Sequence, residues 1–179
     1  MRHAIATMNA DGQDMIARRR PNRRGIAAAL VLALAAAFPA TASPALEAAD
    51  AAGARVRLPA ATGEPRILHL WATWCAPCLA ELPALDAALA AHPDMAGRIT
   101  VLSVDSAPFA RVSGYLDDLG VSLRTLKLVA GNAGVSLGVS GYPSTLFLDG
   151  DGAVVDRVTG PLDWTAPETL TRLRRHFAR

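Results

Sequence analysis

The chain is poor in cysteine, with two in 179 residues, and poor in aromatic residues, at 5%. A zinc site built on Cys-X-X-Cys needs two further Cys or His ligands, and there is no third cysteine to supply one. Long apolar runs are scarce as well. The block from Gly25 to Phe38 is shorter than the roughly 20 residues that cross a bilayer, unless it continues through Pro39 to Ala42. A net positive charge is missing beyond the N-terminal region. Without residues 1–42 the chain has twelve basic and fourteen acidic residues, a net charge of −2, so the formal +2 of the whole belongs to its start. No basic stripe with interleaved aromatics occurs, which argues against nucleic acid as a partner. No internal repeat is evident either.

What is present begins with a leader. Arg18, Arg19, Arg20, Arg23 and Arg24 precede the Gly25–Phe38 block, and Ala40-Thr41-Ala42 follows it. A charged region, a short apolar region and a small-residue triplet form the pattern of a signal peptide. We therefore expect residues 1–42 to be a signal peptide cleaved after Ala42, with an uncleaved inner-membrane anchor as the alternative. Residues 43–53 are small and polar and read as a linker. Residues 54–179 are left for one domain. The expected location is the periplasm, an oxidising compartment in which a lone cysteine pair is oxidised by default, so a reducing role there needs an outside source of electrons.

The two cysteines, Cys75 and Cys78, lie where the apolar run Ile67 to Trp71 gives way to helix-like spacing, with Leu79, Leu82, Leu85, Ala88 and Leu89 recurring through Ala91. At a helix start the first backbone N–H groups are unpartnered and the macrodipole favours negative charge, so a thiolate there is stabilised. Such thiols fall to pKa values of roughly 3.5 to 7.5, against ~8.5 for a free cysteine. Cys75 is the expected attacking sulfur. Cys78, one turn on, is the expected resolving sulfur. Between them, Ala76 precedes Pro77, which suits a first helical turn because its missing N–H would be unpaired there anyway. A purely structural disulfide is the plainer alternative, although so short a loop removes little entropy from the unfolded chain.

Further strands are expected at Ala54–Leu58 on a sheet edge, Arg66–Trp71 and Ile99–Val104 at the centre, and Leu123–Val129, Ser144–Leu148 and Ala153–Thr159. The last two are joined by the turn Asp149-Gly150-Asp151-Gly152. Helices are expected at Pro108–Leu119, weakly at Gly131–Gly138, and at Ala166–Phe177.

Trp71-Ala72-Thr73-Trp74-Cys75-Ala76-Pro77-Cys78, followed by Glu81 and Pro83, resembles the thioredoxin-like disulfide reductases of the TlpA and ResA type. The resemblance covers about residues 54 to 178. It implies an α/β thioredoxin-like fold, a central mixed β-sheet flanked by helices. It also implies a thiol:disulfide oxidoreductase that needs no cofactor beyond its redox-active Cys75–Cys78 disulfide. Disulfide-containing client proteins would be its substrates, such as apocytochrome c or a copper-site subunit of an oxidase. A membrane thiol transporter of the DsbD or CcdA type would be its electron donor, and it is expected to act as a monomer without a metal. A copper-binding assembly factor on the same fold is the alternative, although such proteins separate their cysteines by three residues rather than two.

The resemblance also makes Gly141-Tyr142-Pro143 the counterpart of the family's cis-proline loop, placing Pro143 beside Cys75 and Tyr142 against substrate. Trp74 is expected at the exposed rim, Trp71 in the core, and Trp164 as a structural anchor. Glu81, three residues after Cys78, reads either as a proton acceptor that tunes the cysteines or as an exposed acid favoured near a helix start. His69 stands where thioredoxin carries an acid. It reads either as a proton-transfer group for Cys78 or as a hydrogen-bonded core histidine. His92 and His176 read as surface residues.

Cell fractionation and blotting check the leader. A shortened product in the periplasmic fraction is expected, and a full-length product held in the membrane fraction would overturn cleavage.

Overall fold

The computed structural model describes residues 45–179. The expected leader and its cleavage site at Ala42 lie outside the described residues. Seven strands form one sheet: β1 (Leu46–Ala49), β2 (Arg55–Leu58), β3 (Arg66–Trp71), β4 (Ile99–Ser103), β5 (Thr125–Ala130), β6 (Ser144–Leu148) and β7 (Val154–Thr159). Their order across the sheet is β2-β1-β5-β4-β3-β6-β7. Five helices accompany them among the described residues: α1 (Ala76–Ala91), α2 (Pro93–Ala96), α3 (Phe109–Asp118), α4 (Ala133–Leu137) and α5 (Pro167–Phe177).

β3 is central. It pairs in parallel with β4, Ile67 opposite Ile99 through Trp71 opposite Ser103, and antiparallel with β6, Arg66 opposite Leu148 through Leu70 opposite Ser144. With both edges paired, its side chains alternate between two cores. Ile67 and Trp71 join Leu82 and Leu85 of α1, Val112 of α3 and Leu173 of α5 on one face. Leu68 and Leu70 join Leu46, Leu102, Leu146 and Leu137 of α4 on the other. The nearly unbroken apolar run of β3 is therefore the mark of a strand covered on both sides.

The segment 43–53, expected as a linker, is corrected by β1. Leu46 and Ala48 are fully buried, and β1 pairs antiparallel with both β2 and β5. The domain thus begins at least eight residues earlier than position 54. Only every second residue of β1 faces the core, and in so short and alanine-rich a strand that alternation is hard to tell from a polar tether. The neighbouring chain is built to fit it. At Gly131, with φ +94°, a Cβ would come within 2.8 Å of Leu46 Cδ2.

His176 is the second correction. Expected at the surface, it is buried, with Nε2 3.0 Å from the carbonyl oxygens of both Arg66 and Leu148. Two acceptors facing one ring nitrogen require that nitrogen to carry the proton. The ring thereby ties α5 to the paired ends of β3 and β6. The β6–β7 turn forms as expected, with Asp149 Oδ1 accepting from the amides of Asp151 and Ala153 at 3.0 and 2.9 Å.

Replacing Leu46 with Ala tests the corrected N-terminal boundary. Loss of a fully buried leucine should cost about 2–5 kcal/mol in urea unfolding, whereas a leucine in a tether would cost almost nothing.

Candidate active site

The loop from β3 to α1 is held at both ends. Val104 donates its amide to the Trp71 carbonyl at 2.9 Å, and Cys75 donates to the Ala72 carbonyl at 3.1 Å. Asp105, buried just after β4, accepts from the Thr73 amide at 2.9 Å, the Thr73 hydroxyl at 2.6 Å and the Ser103 hydroxyl at 2.8 Å. Trp71 lies in the core as expected, its indole N–H donating to Thr125 Oγ1 at 3.0 Å. Asp105 is not among the site residues expected from the sequence. An acid directly after an apolar strand is the available signal, but the partner that matters to the loop, Thr73, lies 32 residues away.

Cys75 is the N-cap of α1, in extended conformation, and Pro77 occupies the first turn. The Cys78 amide points at Cys75 Sγ from 3.3 Å. A helix-start amide is therefore aimed at the sulfur expected to carry charge. The two cysteines form a disulfide with Cα atoms 5.2 Å apart. Cys75 is 6% exposed and Cys78 is fully buried, while Ala76 and Pro77 between them lie at the surface. Of the two cysteines only Cys75 retains any exposure.

Trp74 stands 65% exposed beside this opening, with Tyr142 packed edge-on against it, ring centroids 5.7 Å apart. The Tyr142–Pro143 bond is cis, and the loop is closed by the Gly160 amide on the Pro143 carbonyl at 2.8 Å and the Ser144 hydroxyl on the Gly141 carbonyl at 2.7 Å. The fold therefore joins the Tyr142–Pro143 loop to the cysteine motif through Trp74. Partial burial raises the Tyr142 phenol above its ordinary pKa, so it is neutral at physiological pH.

One turn beyond Cys78 on α1, Glu81 belongs to a buried polar cluster. Glu81 is 5% exposed, which corrects the reading of an exposed acid. Its Oε2 accepts from the Leu162 amide at 2.8 Å and the Trp164 indole at 3.2 Å. Its Oε1 faces His69 Nε2 at 3.3 Å, and His69 Nδ1 lies 3.0 Å from Thr145 Oγ1. Trp164 closes the cluster edge-on against the imidazole, centroids 5.2 Å apart. The Trp164 turn is itself fixed by Asp163, whose carboxylate accepts from the Thr165 hydroxyl and amide and from the Ala166 amide. The Thr165 hydroxyl bond is the main reason that carboxyl sits below the usual range. Both ring nitrogens of His69 face protein groups rather than an open coordination position.

A thioredoxin-like fold with a Cys-X-X-Cys disulfide at the start of a helix defines the class. The chain belongs to the AhpC/TSA family, whose model matches residues 39–157. It is similar to the thiol:disulfide interchange protein HelX of Rhodobacter capsulatus, 31% identical over 106 residues that make up 56% of this chain and 54% of that protein. It is also similar to the thiol:disulfide interchange protein DsbE of Haemophilus influenzae, 38% identical over 58% of this chain and 56% of that one. The chain spans about half the length of these curated relatives. Among solved structures, a thiol-disulfide oxidoreductase from Bacteroides vulgatus aligns with a TM-score of 0.57 at 25% identity, covering 77% of this chain and 96% of that one. The expected resemblance and fold both stand.

Replacing Asp105 with Ala would strand the Thr73 and Ser103 donors. At about 1–3 kcal/mol for each buried polar group left unpaired, denaturant unfolding should show a loss of at least about 2 kcal/mol.

Proposed function

We propose that this protein is an extracytoplasmic thiol:disulfide oxidoreductase that reduces disulfides in client proteins. The observation that carries this reading is the asymmetry of the cysteine pair: Cys75 caps the helix and keeps a small exposed fraction, whereas Cys78 is fully buried. In the reaction, the Cys75 thiolate attacks a client sulfur, forming a mixed disulfide and releasing the other client sulfur with the electron pair. Cys78 then gives up its proton and attacks Cys75 Sγ. The Cys75–Cys78 bond forms, and the second client sulfur leaves as a thiolate that is protonated in solvent. Two electrons have passed to the client.

In this reading Glu81, one turn beyond Cys78 on the same helix, receives the Cys78 proton. Trp74, Ala76 and Pro77 form the rim on which a client rests, with Tyr142 and Pro143 on its far side. An extended client segment running past this rim would meet the backbone of the cis-proline loop. The names of the relatives support the activity, and the leader pattern supports export by a cleaved signal peptide, with N-terminal anchoring as the alternative.

A membrane thiol transporter of the DsbD or CcdA type would restore the dithiol. Cytochrome c maturation or assembly of an oxidase copper site would supply clients. Direction depends on the reduction potential: this fold spans roughly −270 to −120 mV, and ~30 mV corresponds to about 1.4 kcal/mol, so small changes around the sulfurs decide which way electrons flow.

Trapping tests the proposal. In Cys78→Ser the mixed disulfide cannot be resolved, so a covalent client adduct on Cys75 should accumulate and disappear on reduction. In Cys75→Ser no such adduct should form. Absence of any adduct, together with tight stoichiometric copper binding by the reduced protein, would instead favour the copper-assembly alternative.

A further inference from the structure

Cys78 is fully buried and closed off from bulk solvent, so the reading above calls for a proton acceptor within the protein. Glu81 lies one turn further along the same helix, and one of its carboxylate oxygens is already taken by the Leu162 amide and the Trp164 indole. Its environment is unusual in one respect. Oε2 has two donors, whereas Oε1 and His69 Nε2 have only each other, 3.3 Å apart and out of reach of solvent. Two bare lone pairs cannot face each other in a buried site without heavy cost, so the pair must hold at least one proton between them.

The opposite nitrogen of the ring shows what else the pair can hold. His69 Nδ1 faces the Thr145 hydroxyl, 3.0 Å away. A hydroxyl can donate to a bare Nδ1 or accept from a protonated one, so the ring is satisfied whether neutral or charged. His176 is the contrast within the same molecule: its Nε2 faces two carbonyl oxygens, which accept only. That ring nitrogen is locked in one state. The His69 environment is not.

We propose that His69 is a positioning residue for thiol exchange: through Glu81, the His69–Glu81 pair takes up the proton that Cys78 must lose. The inference rests on the oxidoreductase reading above. The proton moves from Cys78 Sγ to the Glu81 carboxylate and is held between Oε1 and Nε2, while the Thr145 hydroxyl turns to suit the ring. The Cys78 thiolate then forms the bond to Cys75 Sγ, and the client sulfur departs with its electron pair. When a dithiol donor later reduces the disulfide, the proton returns to Cys78.

Around the pair stand Thr145 from β6 and the Leu162 amide and Trp164 from the β7–α5 connection, with Cys78 one turn earlier on Glu81's own helix. Asp163 turns its carboxylate to Thr165 and Ala166, and Asp105, just after β4, is engaged by Thr73 and Ser103. Neither of those two acids has a hydrogen bond to the pair.

The test uses the reduced full-length protein and a chromogenic aryl disulfide as probe. Two aryl thiolates are released in sequence: the first reports attack by Cys75, the second resolution by Cys78. In His69→Gln the side-chain amide can still donate to Glu81 Oε1 but cannot hold an extra proton. The second release should slow by roughly 10²-fold, the low end of what a positioned base contributes, and its pH profile should lose one ionisation while the first release keeps its rate. An unchanged second phase with an unchanged pH profile would overturn the proposal. Imidazole nitrogen shifts in the reduced wild type give an arm that needs no variant. The His69 nitrogens should titrate in the same macroscopic step as Cys78, and a single neutral tautomer held through that step would equally overturn it. A wild type that releases no aryl thiolate would refute the oxidoreductase reading itself, and the nitrogen shifts would still decide the role of His69.

Discussion

Everything at the candidate site depends on β3 being paired along both edges. A strand hydrogen-bonded to β4 on one side and β6 on the other cannot slip by one residue without turning its whole apolar set to the opposite face. That constraint fixes where the strand ends. Trp71 is locked by its indole bond to Thr125, the following loop is pinned by Asp105, and Cys75 is delivered to the cap of α1. The same register places His69 directly opposite Thr145 on β6. One backbone arrangement thus positions both the reactive sulfur and the buried ring beneath it.

The site has two layers of contrasting character. The upper layer, Trp74 with Tyr142 and the cis-proline loop, is open and aromatic, suited to holding a polypeptide by its backbone and by flat apolar contact. The lower layer, Glu81 with His69, Thr145 and Trp164, is closed to water. In such surroundings electrostatic interactions are strong and an unpaired polar group is costly, so each polar atom has a near neighbour whose protonation it constrains. Cys75 directly follows Trp74 of the upper layer, and Cys78 lies one helical turn before Glu81 of the lower one.

Reading the chain recovered most of the scaffold. The strand-to-helix change at Cys75, the helix running through Pro83, the Asp149–Gly152 turn and the amphipathic C-terminal helix are written in local patterns, and the structure contains each of them. Three features were not legible. β1 is too short and too rich in alanine to announce itself, His176 lies on a basic helix end that reads as solvent-facing, and Glu81 occupies an early helical position where an acid is ordinary. Each is buried by segments far away in sequence: Leu46 by the chain near Gly131, His176 by the ends of β3 and β6, Glu81 by the turn that carries Trp164.

Local chemistry alone determined that two sulfurs would sit a helical turn apart at the start of a helix, because spacing, proline placement and apolar periodicity act over a few residues. Only the folded chain decided which of those sulfurs meets solvent and what lies under the other. The donors that hold Glu81 come from 81 and 83 residues further along, and the hydroxyl that partners His69 comes from 76 residues away. Contacts across such separations are set by sheet register and by how the last helix closes over the core, and no short-range pattern carries them.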